Sequence, residues 1–249
     1  ASHSDLSHAC SASRRTFKDG TVTYLLNSPD DFADEAIRGL VAAHPDLLVE
    51  VAGGVARSTQ TPPGQPALVI GGGSGHYPAF AGWVGPGMGH GAPCGNIFSS
   101  PSASEVYSVV RNAENGGGVI LGFGNYAGDV LHFGLAAEKL RHEGVDVRIV
   151  TVSDDVASNT PENHRDRRGV AGDLPVFKIA GAAIEAGADL DEAERAVRTF
   201  EESAGVAPVP SPPAAACCSP RSTRRPSRWY SAAPPPRAPP TACGPPLPL

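Results

Sequence analysis

His76 and Asp129 are the residues of this chain whose type and setting best suit proton transfer. His76 ends the run Gly71-Gly72-Gly73-Ser74-Gly75-His76, which follows the apolar segment Ala67–Ile70 and leads into Tyr77-Pro78. Asp129 closes Asn125-Tyr126-Ala127-Gly128-Asp129, which follows the apolar segment Val119–Phe123. An imidazole titrates near neutrality and can take a proton from a hydroxyl; a carboxylate can orient the substrate or share that work. Four glycines within five residues leave a backbone able to take positive φ and to approach a ligand closely, and Pro78 stiffens the exit. In a parallel sheet both loops emerge at the carboxyl edge, where open α/β folds bind ligands. His76 and Asp129 are therefore expected to face one pocket. Two plainer readings stand beside this one. The glycines can form a structural turn with an idle histidine, and Asp129 can be the N-cap of a helix beginning at Val130.

Commoner glycine motifs do not fit. No Gly-Lys-Ser/Thr follows at P-loop spacing, and the third glycine of a dinucleotide fingerprint falls on His76 or Pro78. A dinucleotide-binding oxidoreductase is thereby excluded.

The elements that must hold these loops are legible from pattern. Ser28-Pro29-Asp30-Asp31 reads as a helix start, with the helix running to about Ala43. Leu47–Val51 reads as a short strand, Ser58–Gln65 as a turn, and Ala67–Ile70 as a buried strand. Ala79–Gly95, with Trp83, Met88 and His90, has the composition of a loop wrapping a pocket. Ser100-Pro101 opens a helix with Ser102 and Glu105 at capping-box spacing, and Val106, Val109 and Val110 on its apolar face. Val119–Phe123 is a second buried strand. A helix over about Val130–Arg141 buries Leu131, Leu135, Ala136 and Leu140, and Val145–Val152 is a third strand. Ser158–Arg168 is a polar loop, followed by helices over Val176–Ala186 and Leu190–Glu202. Strands alternating with helices predict an α/β fold with a mostly parallel sheet and crossover helices.

Composition narrows the function classes. Residues 1–206 carry 15 Lys+Arg against 26 Asp+Glu, a balance of −11, which argues against nucleic acid as a partner. No run approaches the roughly 18 apolar residues of a membrane span, and the polar start has no signal-peptide core, so a cytoplasmic location is expected. Of the five cysteines, Cys10 and Cys94 are far apart in the body, and Cys217, Cys218 and Cys243 lie near the end. No disulfide framework or metal site is expected, and Cys94 reads as a small buried residue. His90 reads as packing more readily than as a substrate contact, and His132 and His142 need no role. Trp83 and Tyr77 read as the core of their loop more readily than as surfaces on which a sugar packs.

Taken in order, several segments resemble one family: Gly71–Pro78, Phe98-Ser99-Ser100-Pro101, Asn125-Tyr126 with Gly128-Asp129, and Phe133–Lys139. Val152 with Asp154-Asp155, Arg168-Gly169 with Ala171-Gly172, and Lys178-Ile179-Ala180-Gly181 continue the match. The chain is similar to the substrate-binding K domain of dihydroxyacetone kinases over about Asp19–Ala204. The resemblance implies phosphorylation of a terminal hydroxyl of a short ketose, dihydroxyacetone or erythrulose. Gly73, Ser74, Gly75, His76 and Asp129 would contact it, with His76 and Asp129 as the catalytic pair. ATP and Mg²⁺, or a phosphorylated partner, would be held by a separate L domain or subunit, with no cofactor or metal on this chain itself. A homodimer is also implied. The rival reading is a catalytically inactive K-like ketose-binding or regulatory module.

Two departures from the family stand out. Gly124 occupies a position where the family commonly has lysine; its bareness enlarges the pocket, makes Gly124 a substrate-facing position and points to a four-carbon ketose. The family's covalent histidine segment, downstream of Lys178–Gly181, has no counterpart, since no histidine follows His164. In its place, residues 207–249 hold fourteen of 25 prolines, five arginines and no acid. A K-type domain over 1–206, incomplete in its second half, and a Pro/Arg/Ala-rich tail are therefore expected. The tail reads as a disordered linker, a divergent terminus or a shifted reading frame, the last being favoured, and the chain as given is expected to be catalytically impaired.

Overall fold

A computed structural model describes residues 14–17, 20–23, 27–201 and 205. By its contacts the chain divides into two units, Ala1–Val206 and Ala207–Leu249. The readings of Cys10, of the three later cysteines and of the tail lie outside the described residues.

Strands β1 (Arg14–Phe17) and β2 (Gly20–Thr23) form an antiparallel pair. Helix α1 (Phe32–Ala43) begins after Asp31 rather than at Pro29. Then come β3 (Leu48–Val51), β4 (Gly54–Arg57), β5 (Ala67–Ile70), the short β6 (Gly72–Gly73), β7 (Gly91–Gly95) and α2 (Ala103–Ala113). The remainder is β8 (Val119–Gly124), α3 (Ala127–His142), β9 (Val147–Val152), α4 (Asp173–Glu185) and α5 (Leu190–Glu201). A seven-stranded sheet runs β3-β4-β7-β5-β8-β9, with β6 paired to β7. Strands β7, β5, β8 and β9 are parallel. Strands β3 and β4 join antiparallel, β4 lying beside β7.

The sheet is covered on both faces because its central strands are apolar at every position. In β5, Ala67 and Val69 face a core built with Val106, Val109 and Val110 of α2 and Phe133, Ala136, Ala137 and Leu140 of α3. Leu68 and Ile70 face the opposite core, with Val176, Phe177, Ala180 and Ile184 of α4 and Ala193 and Val197 of α5. Two faces on successive residues are the period-2 consequence of a pleated strand.

Sequence expectations fail where apolar residues lie on more than one helical face. In α3 the buried side chains are Asp129, Phe133, Ala136, Ala137 and Leu140, whereas Leu131 and Leu135 are exposed. Residues 129, 133, 136, 137 and 140 follow the spacing of one helical face, and Leu131 and Leu135 lie off it. The expected pocket-wrapping loop over Ala79–Gly95 contains β7, whose small residues fit between β4 and β5. A Cβ on Gly91 would stand 2.7 Å from Val109 Cγ1, so the α2 contact there requires glycine.

The capping box forms as spaced. Glu105 N donates to Ser102 Oγ at 3.3 Å and Ser102 N to Glu105 Oε2 at 2.6 Å. Asp189 and Glu192 make the same reciprocal pair ahead of α5, at 2.8 and 3.2 Å. Replacing Ser102 with alanine is expected to lower stability by about 1 kcal/mol. A shifted denaturant midpoint at constant slope would register it.

Candidate active site

The glycine loop is shaped by its own protein neighbours. None of Gly71, Gly72, Gly73 and Gly75 takes positive φ, which corrects the sequence expectation. These residues are glycine because the chain behind them is close. A Cβ on Gly71 would lie 2.7 Å from Pro93 O, and one on Gly73 2.7 Å from Ile97 O. On Gly72 it would run into the Phe80 ring. The pairing of β6 with Cys94 and Gly95 sets this proximity, and Gly75 N donates to Ile97 O at 2.7 Å. The backbone then closes a 3-10 turn over Ser74–His76. His76 is left at the surface, its ring edge-on to Phe80 (centroids 6.3 Å) and Phe98 (5.8 Å).

Asp129 enters from the next parallel unit. It is the third residue of α3, whose N-cap is Tyr126, so the expected N-cap role is replaced by a position inside the first turn. Asp129 as a residue is only 7% exposed. Burial raises its pKa above the ordinary carboxylate range; the Ser100 hydroxyl bonded to it and the nearby charges of His76 and His132 pull the other way. Gly128 admits this approach, since a Cβ there would sit 2.6 Å from Ser100 Oγ. Asp129 Oδ1 has no hydrogen-bond partner. His76 and Asp129 thus share one electrostatic neighbourhood at the carboxyl edge, with a buried acceptor left open.

The adjoining loops are braced from within. Asn125 Nδ2 donates to Arg165 O (3.1 Å) and Arg167 O (2.7 Å), and Tyr126 Oη to Gly169 O (2.9 Å). Asp154, at the end of β9, accepts from Val170 N and Gly172 N at 2.8 Å each. Gly124 is buried at the end of β8; a Cβ there would lie 3.2 Å from Tyr126 Cε2 and 3.5 Å from Asp173 Oδ2. Asp173, the first residue of α4, is 8% exposed, and its Oδ1 also lacks a partner. Burial, with Asp154 and then Asp129 as like-charged neighbours, pushes its pKa up to about 8.

The model of the Dak1 domain matches residues 38–223. The chain belongs to the Dak1 domain family. An L-erythrulose 1-kinase of Mycolicibacterium smegmatis is 94% identical over 174 residues, which cover 70% of this chain and 30% of that protein. The crystal structure of the dihydroxyacetone kinase of C. freundii, native form, superposes with a TM-score of 0.65 at 34% identity, covering 72% of this chain and 33% of that one. A dihydroxyacetone kinase operon co-activator superposes with a TM-score of 0.61 at 33% identity, covering 66% of this chain and 51% of that one. The chain spans about a third of the length of the two kinases.

In this Dak1 domain, sequence reasoning overlooked Ser100 as a partner of Asp129, Asp154 as a brace and Asp173 as a buried carboxyl. Only Asp173 left a readable signal: an acid directly after Arg168-Gly169-x-Ala171-Gly172, at a helix start. The other candidates resolve into packing. His90 is buried, and its Nδ1 accepts from Leu68 N at 3.1 Å. Burial, reinforced by Arg57, lowers its pKa to about 3, so it is a neutral core residue. Trp83 packs edge-on against Phe80 and Phe177, as expected of a loop core, but Tyr77 is 70% exposed. Its neighbours Gly75, His76 and Pro78 are exposed as well, because the tight turn projects the whole tip outward. Cys94 is buried, with its thiol pushed up to about 12 by that burial, which leaves it inert as a nucleophile. Among the described residues, no group of three His, Cys, Asp or Glu side chains is placed to hold a metal. No helix among them is long and apolar enough to cross a membrane.

Proposed function

We propose that this chain is the ketose-binding part of a ketose kinase, with Asp129 as the base that receives the proton of the attacking hydroxyl. The observation that carries the reading is the Asp129 carboxyl, buried beside Ser100 and His76 with Oδ1 open. As the terminal hydroxyl oxygen of the ketose attacks phosphorus, its proton passes to Asp129, and the bond from phosphorus to the donor's leaving oxygen breaks. Burial raises the affinity of the carboxylate for that proton and excludes competing water. Gly73, Ser74 and Gly75 hold the ketose against this carboxylate, and His76 hydrogen-bonds it from the rim. Phosphoryl transfer asks the acceptor side mainly for such positioning. ATP with Mg²⁺, or a phosphorylated partner, is assigned to an L-type domain or subunit. A homodimer and a cytoplasmic setting belong to the same reading.

Erythrulose is the proposed ketose. Gly124 places no side chain between Tyr126 and Asp173, and the relative sharing 94% identity carries erythrulose kinase in its name. The likeness to a co-activator favours a second reading, a ketose-binding module without catalysis. Ketose-dependent phosphoryl transfer by the full-length protein, with an L-type partner supplied, separates the two. Transfer with erythrulose preferred over dihydroxyacetone is the expected result. Ketose binding without transfer would select the module, and a preference for dihydroxyacetone would remove erythrulose.

A further inference from the structure

We propose that Asp173 is a second substrate-contacting carboxyl, which binds the hydroxyl by which a four-carbon ketose exceeds a three-carbon one. The inference rests on the reading of this edge as a ketose site and adds a residue and a specificity to it.

Three observations place Asp173 there. It opens α4, which follows β9, while Asp129 lies in the first turn of α3, which follows β8. The two carboxyls therefore flank the carboxyl end of β8, close enough that Asp129 acts electrostatically on Asp173. Asp173 Oδ2 stands 3.5 Å from the point where a side chain at Gly124 would begin. The carboxyl therefore faces the backbone at the carboxyl end of β8, where no side chain intervenes. Finally, Asp173 is more than nine-tenths buried, yet its Oδ1 has no partner. Buried polar atoms in folded proteins almost always have one, and a ligand hydroxyl supplies it.

The backbone donors just ahead of α4 are taken by another acid: Asp154 accepts from Val170 N and Gly172 N, while Asp173 Oδ1 accepts from no donor. The groups acting on Asp173 are both acidic, Asp154 from the end of β9 and Asp129 from α3; His76 and His132 act on Asp129. With both of these neighbours acidic, Asp173 keeps its proton at neutral pH and can both donate to and accept from a hydroxyl.

Calorimetric binding of erythrulose and dihydroxyacetone to the full-length protein, from pH 6 to 9, tests the assignment. Asp173→Ala is expected to weaken erythrulose binding about tenfold, the worth of one buried hydrogen bond, and to leave dihydroxyacetone within about twofold. Asp173→Asn, which donates at any pH, is expected to restore erythrulose binding and to abolish the loss of affinity expected of the unmodified protein above about pH 8. Equal losses for both ketoses, or an asparagine variant with an unchanged pH profile, would overturn the role of Asp173. If the unmodified protein binds neither ketose, the ketose-site reading itself fails. Should the alanine variant not fold, the pH profile of the asparagine variant still decides.

Discussion

Replacing Asp129 with asparagine is expected to lower ketose phosphorylation by about 10²–10⁴-fold, the usual worth of a positioned general base. Ketose affinity should change little, because the amide keeps the size and hydrogen-bonding reach of the carboxyl while losing its basicity. The effect should therefore fall on kcat rather than KM. The pH profile carries a second signature. Burial raises the pKa of Asp129 and the charge of His76 lowers it, so activity is lost on the acid side as the carboxylate takes up its proton. Removing His76 by alanine deletes a lowering influence, and the acid limb should move to higher pH. Steady-state kinetics from pH 4 to 8 would measure both. An Asp129→Asn enzyme retaining more than a tenth of its rate would exclude Asp129 as the base.

The second large effect concerns stability. Asp173 has a folded pKa of about 8, against about 3.9 for an unfolded aspartate. Between these values the unfolded chain has lost a proton that the folded chain still holds. Stability must then fall as pH rises through this window, by up to roughly 1.4 kcal/mol per pH unit, and level off above it. Asparagine at 173 mimics the protonated form and removes the penalty. Asp173→Asn should thus match the parent near pH 4 and exceed it by roughly 2–5 kcal/mol at pH 8.5, as read from denaturant midpoints. Equal midpoints at pH 8.5 would show that the carboxylate ionises in the fold without cost. A stabilising substitution inside a site is what a group retained for binding leads one to expect.

Much of the fold is legible in the sequence because its signals are local. Four-residue apolar runs bounded by turn residues, such as Ala67–Ile70, read as strands buried on both faces, and Ser102 with Glu105 marks a helix start by a hydrogen-bond pair that needs no distant partner. The parallel order of β5, β8 and β9 follows from helices alternating with strands. The added antiparallel pair, β3 and β4, was not legible as part of that sheet. Its strands are only four residues long, each with one charged residue (Glu50, Arg57), and what fastens β4 there is β7, a glycine- and proline-containing segment without strand propensity. The phase of α3 was misread for a related reason. Leucines and alanines occur around much of that helix, and only contact with β8 and α2 selects Phe133 over Leu131 and Leu135.

The site divides the same way. Residue types and their order after strands sufficed for the two loops and for the expectation that His76 and Asp129 face one pocket; Gly124 stood out only through the resemblance to the family. Tertiary structure alone decided why the glycines are glycines: the chain at Pro93–Ile97 presses against them, a contact between segments some twenty residues apart. It also decided that Asp129 sits inside its helix under Ser100, and that Asp173 is a buried, unpartnered carboxyl beside it. Burial and like-charge proximity are sums over neighbours from several elements, and no local pattern encodes such a sum.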